Sequence, residues 1–234
     1  FQVVPMKGLS RPYAVAFLPD GALLITERPG RLRIVRNGVL DPQPIAGMPA
    51  VLDRNLRGLN DIALHPNFAQ NRWVYFSYYK PSPAAADAAR ATLARGRFDG
   101  DHSLTDVQDI FLTERLISGP SAARIVFGRD GTIYMAIGVP IPARVRAGVA
   151  TTDDAQDPNS HFGKVLRLND DGSAPSDNPF IGRPGHKPEV YALGIRNAMG
   201  LAVHPETGEL WETENGPQGG DELTGDAFPE WKGS

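Results

Sequence analysis

Leu201-Ala-Val-His-Pro-Glu-Thr-Gly-Glu-Leu-Trp-Glu-Thr-Glu214 reads as a short apolar strand, a turn and a second strand. Pro205 to Gly208 supply the reversal, and alternating residues give each strand a face to bury. The same phrase occurs three more times. Ala14 to Glu27 turns at Pro19-Asp20-Gly21, and Asp61 to Tyr79 turns after His65-Pro66. Arg124 to Ile137 turns at Asp130-Gly131. Further strands are predicted at Arg31–Gly38, Ala91–Arg97 and Lys164–Leu168, each able to complete a sheet begun by its repeat. Repeated small sheets predict an all-β chain, a β-propeller of blades around a central channel. A sandwich competes, but it would not require one phrase four times.

Around the repeats, Pro81–Arg90 predicts a surface excursion with a helical turn. Val139–Asn159 predicts a long ordered loop of the kind that carries function. The chain is 234 residues long, enough for one domain with a sizeable core. A formal charge of −3 gives no electrostatic footprint for nucleic acid or anionic lipid. No apolar run approaches a membrane span. The absence of cysteine excludes disulfides, thiolate metal sites and cysteine nucleophiles. The first residue is Phe1, so a leader is expected to have been removed, which suits a periplasmic or secreted protein.

Chemistry concentrates in Gly194 to Glu222. Arg196 and Asn197 offer a fixed cation and an amide, and a guanidinium suits an anion held bidentately. The stretch ends in Asn215-Gly-Pro-Gln-Gly-Gly-Asp-Glu222, where bare carbonyls and two carboxylates suit calcium. A glycine-rich turn followed by solvated acids fits the same residues.

Gly-Ile-Arg-Asn-x-x-Gly-Leu, Glu-Asn-Gly-Pro-x-Gly-Gly-Asp-Glu, His-Phe-Gly-Lys-Val-Leu-Arg-Leu and Arg-Ile-Val-Phe-Gly-Arg-Asp-Gly together resemble the glucose/sorbosone dehydrogenase family. The resemblance covers nearly the whole chain. It implies a six-bladed propeller that binds pyrroloquinoline quinone (PQQ) and calcium at the channel mouth and oxidises a sugar hydroxyl. A small-molecule sugar or polyol and an electron acceptor are the implied partners. By resemblance Arg196 and Asn197 contact the quinone, and Arg124 lies beside the site or caps a strand over the channel. Gly216 and Pro217 offer carbonyls to the cofactor's calcium, and Glu222 is a ligand of a second calcium.

The departures bear on activity. The family's general base aligns with Pro120, which neither takes nor gives a proton. Val139 follows Gly138 where the family has aspartate, Leu56 or Arg57 replaces a glutamine, and Ala227 falls where a cofactor-binding lysine is expected. The phrase from Thr224 onward resembles one that lies much later in the family. The chain is therefore expected to be an incomplete propeller lacking residues between Leu223 and Thr224 and beyond Ser234. Among the histidines, His65 and His204 sit in repeated His-Pro turns, and His102 and His186 lie in polar segments. His161 is the candidate replacement base. Asp153, Asp154 and Asp157 are solvated acids or cation ligands. The expected function is a PQQ- and calcium-dependent sugar dehydrogenase with weakened chemistry. The alternatives are a calcium-binding propeller with hydrolase- or lactonase-like activity, and a non-catalytic carbohydrate-binding propeller.

Overall fold

The computed structural model describes residues 3, 5–139 and 149–215, and the backbone of 221–225. Four antiparallel sheets follow one another along the chain, each with its strands in sequence order. The first holds β1 (Pro12–Phe17), β2 (Leu23–Glu27), β3 (Arg31–Arg36) and β4 (Val39–Leu40). The second holds β5 (Leu59–Leu64), β6 (Trp73–Ser82), β7 (Ala85–Phe98) and β8 (Leu104–Leu112), with a short helix α1 (Phe68–Asn71) between β5 and β6. The third holds β9 (Ala123–Phe127), β10 (Ile133–Ile137), β11 (Lys164–Leu168) and β12 (Val190–Leu193). The fourth holds β13 (Ala198–Val203), β14 (Leu210–Asn215) and β15 (Asp221–Gly225). The first strand of each sheet abuts that of the next, β1 on β5, β5 on β9 and β9 on β13. These are the blades of a β-propeller seen from its inner strands. The four repeated phrases are the β1–β2, β5–β6, β9–β10 and β13–β14 pairs. β15 passes through Leu223 and Thr224 as one strand. Among the described residues no helix is long and apolar enough to cross a membrane.

Three apolar seams join the blades. Leu24, Leu32 and Ile34 of the first blade meet Val74, Phe76 and Tyr78 of the second. From the other face of β6, Tyr75 and Tyr79 meet Ile125, Ile133 and Met135 of the third blade. Ala136 and Val165 meet Ala198 and Leu210 of the fourth. A middle blade is thus buried on both faces, which is why β6 and β10 read as almost continuous apolar runs. Each large side chain buried in a seam contributes about 1.5–3 kcal/mol before conformational entropy is subtracted.

Pro81–Arg90 differs from its expected form. It forms the tip of the β6–β7 pair, with Pro81 opposite Ala89 and Lys80 opposite Arg90. Its alanines favour helix in isolation, but Ala88 and Ala89 are buried in the sheet and pairing outweighs propensity. In the long segment after β10, Thr152–Gln156 is a 3-10 helix closed by a capping box between Thr151 and Asp154.

Candidate functional site

The inner strands converge on one set of side chains. Arg124, at the start of β9, donates from Nε to the Met199 carbonyl of β13 at 2.7 Å. Its guanidinium lies 4.5 Å from the ring centre of Tyr13 on β1, and Nη1 is 3.8 Å from Asp61 Oδ1 on β5. One arginine therefore touches all three neighbouring blades. The Asp61 carboxylate accepts from the backbone N–H groups of Ile62 and Ile125, both at 3.0 Å. Burial pushes its pKa up, and those hydrogen bonds and Arg124 offset only part of the rise.

Arg196 and Asn197 lie on the segment entering β13. The Arg196 N–H donates to Glu214 Oε2 at 2.6 Å, and its carbonyl accepts from Val139 N at 2.7 Å. Its Nη1 donates to the carbonyl and the side-chain oxygen of Asn215, at 3.2 and 2.5 Å. The guanidinium is aimed by one edge while Nε and Nη2 have no hydrogen bond among the described residues. Asn197 is buried and differently employed. Its Oδ1 accepts from Ala122 N at 2.9 Å and its Nδ2 donates to Met199 Sδ at 3.3 Å, so the amide ties the fourth blade to the third. A Cβ at Gly138 would stand 2.2 Å from that Oδ1, so the seam requires glycine there. Asn60 makes the equivalent tie between the second and third blades, accepting from Ala123 N at 3.1 Å.

His161 lies at the seam between the second and third blades. Nδ1 is paired with Glu114, Nε2 is 3.4 Å from Glu189, and the ring stands edge-on to Phe111. Burial pulls the imidazole pKa down, but the two carboxylates outweigh it and hold the ring charged above its usual range. Burial likewise opposes ionisation of Glu114, yet His161 brings its pKa down to about 2. Nearby, Lys164 donates to the carbonyls of Asp154, Ala155 and Phe162 at 2.7–3.0 Å, while burial draws its pKa down to about 7. Asp154 is held by Arg115 and by Thr151 N. His65 and His204 do what their turns predict: each Nδ1 accepts backbone N–H groups just beyond its proline. His102 pairs with Asp41 and Asp101, and His186 stacks on Phe180.

The segment carrying Pro120 enters β9 at Ala123, which is bonded by Asn60 of β5 and Ser77 of β6, with Pro120 exposed and Ser121 to Ala123 buried. The same segment contacts a group of which the motifs named only Arg57, as one of two candidates for a replaced glutamine. Arg57 is fully buried, and its Nη1 donates to the carbonyls of Asp87 at 2.9 Å and Ile117 at 2.7 Å. Tyr79 is buried with Ser121 beside its hydroxyl, and Tyr13 and Arg57 both act on that phenol electrostatically. The available signal was the replaced glutamine just before an inner strand, which the sequence left between Leu56 and Arg57.

Among the described residues no group of three or more His, Asp or Glu is placed to hold a metal ion. Gly216, Pro217 and Ala227 lie outside the described residues. Glu222 is on β15 with its backbone opposite Glu214, and its side chain is not described. For a carboxylated quinone the described residues fit at Arg196, whose Nε and Nη2 have no hydrogen bond among the described residues. Asn197 fits as the support behind Arg196, because its amide already serves the seam.

The profile of the glucose/sorbosone dehydrogenase family matches residues 9–225. The chain is 46% identical over 234 residues to the protein slr1608 of Synechocystis, covering 95% of this chain and 56% of that one. It is 37% identical over 220 residues to the aldose sugar dehydrogenase YliI of Escherichia coli, covering 92% and 56%. The PQQ-bound aldose sugar dehydrogenase of Streptomyces coelicolor superposes with a TM-score of 0.75 at 28% identity, over 93% of this chain and 60% of that one. The chain thus spans little more than half the length of these relatives. With the motifs, the blades and the profile in agreement, the chain belongs to the glucose/sorbosone dehydrogenase family.

Proposed function

We propose that the channel mouth binds a sugar beside a carboxylated quinone, PQQ, with calcium, and that turnover of glucose is weak. Arg196 carries this reading: its backbone is fixed by Glu214 and Val139, Nη1 is fixed by Asn215, and Nε and Nη2 have no hydrogen bond among the described residues, which leaves them for an anion. PQQ, when bound, supplies a two-electron acceptor for oxidation of a sugar hydroxyl. Arg196 orients a carboxylate, Asn197 and Gly138 hold the strand behind it, and Arg124 keeps the inner strands in register. The carbonyls of Gly216 and Pro217 and the Glu222 carboxylate are proposed calcium ligands from the resemblance.

Proton removal is where this chain is weak. Pro120 has no proton acceptor, and both His161 nitrogens face carboxylates. We assign His161 to the seam. General-base help is typically worth about 10²–10⁴ in rate, so a chain without it binds better than it turns over. A carbohydrate-binding role without turnover is the second reading, favoured by the same proline. A periplasmic or secreted location accords with the proposed cofactor and substrate.

Reconstitution decides between them. Purified protein with PQQ and calcium is expected to quench PQQ fluorescence on binding and to reduce dye slowly with aldoses. Arg196→Ala is expected to abolish the quenching. Quenching that survives Arg196→Ala sinks the reading of Arg196. Glucose turnover as fast as an efficient family member's would show that a proton acceptor has been overlooked.

A further inference from the structure

The donors around Arg57 are left over by everything described so far. Among the described residues, Nε and Nη2 of Arg57 and the Tyr13 hydroxyl are buried without a hydrogen-bond partner, and the Tyr79 hydroxyl has only Ser121 beside it. Burial keeps both phenols protonated, despite Arg124 and Arg28 near Tyr13 and Arg57 near Tyr79. Every unfilled position in this group can therefore present a hydrogen. The Asp87 carboxylate and Arg54 act on the guanidinium from a distance, with opposite signs.

Buried polar groups are normally paired, and a buried cation is costly without a bonded counter-charge. Water would satisfy the hydrogens and leave the charge. A carboxylate satisfies both, because Nε and Nη2 form the guanidinium edge that matches two carboxylate oxygens. The position narrows the source of that carboxylate. Ile117, which Arg57 holds, and Ser121, beside Tyr79, bracket Pro120 on the segment where the resemblance puts the family's general base.

We infer that Arg57 and Tyr79 receive a carboxylate, and that the sugar bound in the channel is an acidic one, a uronate or an aldonate. The inference rests on reading the channel mouth as a sugar site and adds its selectivity. A site built to hydrogen-bond one substrate group discriminates strongly against the analogue that lacks it.

Isothermal titration of the purified protein with D-glucuronate, D-glucose and sodium sulfate tests this without any cofactor. Glucuronate is expected to bind at least about tenfold more tightly than glucose, the effect of one hydrogen-bonded charge, and more tightly than sulfate. Arg57→Met is expected to erase the preference. Tyr79→Phe, which changes no charge and keeps the ring, is expected to reduce it several-fold and carries the test if Arg57→Met does not fold. Equal affinity for glucuronate and glucose, sulfate binding as tightly as glucuronate, or a preference that survives both substitutions overturns the inference. Dye reduction separates it from the proposed function. Turnover of neutral aldoses without an acid preference defeats this inference alone, and acid-selective binding without turnover defeats the redox reading alone.

Discussion

Two polar regions contact the segment from Glu114 to Ala123, and they are built on opposite terms. At its start, His161, Glu114, Glu189, Lys164, Asp154 and Arg115 form a closed set. Each charge there meets an opposite charge or a ring of carbonyls. At its end, Arg57, Tyr79 and Tyr13 hold donors without a hydrogen-bond partner among the described residues. Both regions are buried, both shift pKa values, and a search by residue type favours the first because it holds a histidine. Their difference teaches that compensation distinguishes architecture from a binding site. A perturbed group whose partners are all present is fastening blades, and one whose partners are missing is waiting for a ligand.

The largest expected effect breaks the comparison if it fails. His161→Ala leaves Glu114 and Glu189 facing one another across an emptied seam. Both carboxylates are about a quarter exposed, so the cost is about 3 kcal/mol, the low end for a broken buried pair. Urea denaturation measures it. If unfolding free energy is unchanged while dye reduction disappears, His161 is a catalytic residue and the seam assignment is wrong.

Next is Asn197→Ala, which strands the buried N–H of Ala122 and opens a gap against Gly138. About 2 kcal/mol of stability is expected to go, the usual cost of an unsatisfied buried donor. Asn60→Ala should behave alike through Ala123, because the two amides do the same work at successive seams. PQQ binding lost at Asn197 with stability intact would place that amide on the cofactor instead.

The charged seam also has a pH signature with a definite sign. The folded pKa of His161 is raised, so its contribution is complete below the unfolded value of about 6.5 and is lost as pH climbs through the folded value. Glu114 titrates near 2 when folded, so its contribution is complete above about 4.5 and fades as pH falls toward 2. Lys164 works the other way: its folded pKa of about 7 makes stability rise with pH until its unfolded value of about 10.4. The stability difference between the parent and His161→Gln cancels Lys164. It should be flat from about pH 4.5 to 6.5 and shrink outside that window, by at most about 1.4 kcal/mol per pH unit for each proton. A difference that stays flat from pH 3 to 9 would mean the histidine is not charged in the fold.

The sequence carried the architecture and much less of the site, for a physical reason. Each inner pair of strands announces itself because the buried faces demand apolar residues and the reversal demands Pro, Asp or Gly, as at Phe17-Leu-Pro-Asp-Gly21. The outer strands β8 and β12 gave no such signal. Thr105, Asp106 and Gln108 of β8 face outward and look like loop. Arg196 and Asn197 were legible as a motif, but their separate jobs were not, since hydrogen-bond partners such as Ala122 and Asn215 come from other strands. Arg57, Tyr79 and Tyr13 come from three separate segments, and only folding brings them together.

The smallest expected effect sharpens the comparison most. Tyr78→Phe and Tyr13→Phe each remove one hydroxyl and keep the ring. The Tyr78 hydroxyl donates to Asp109 Oδ1 at 2.8 Å, beside the Lys80–Asp109 pair, and burial together with that carboxylate raises its pKa. Deleting a hydrogen bond to a charged acceptor should cost about 1.5 kcal/mol. The Tyr13 hydroxyl is buried without a partner among the described residues, so its desolvation is unrewarded in the free protein. Deleting it should leave stability unchanged or raise it by a few tenths of a kcal/mol, since removing an unmade hydrogen bond loses nothing. Saturating glucuronate should reverse the sign for Tyr13, because a ligand that uses the hydroxyl stabilises the parent more than the variant by mass action. Thermal melts of both variants, with and without glucuronate, read all four values. Equal losses at Tyr13 and Tyr78 in the free protein would mean that the channel donors already have partners, and the distinction between the two regions would collapse.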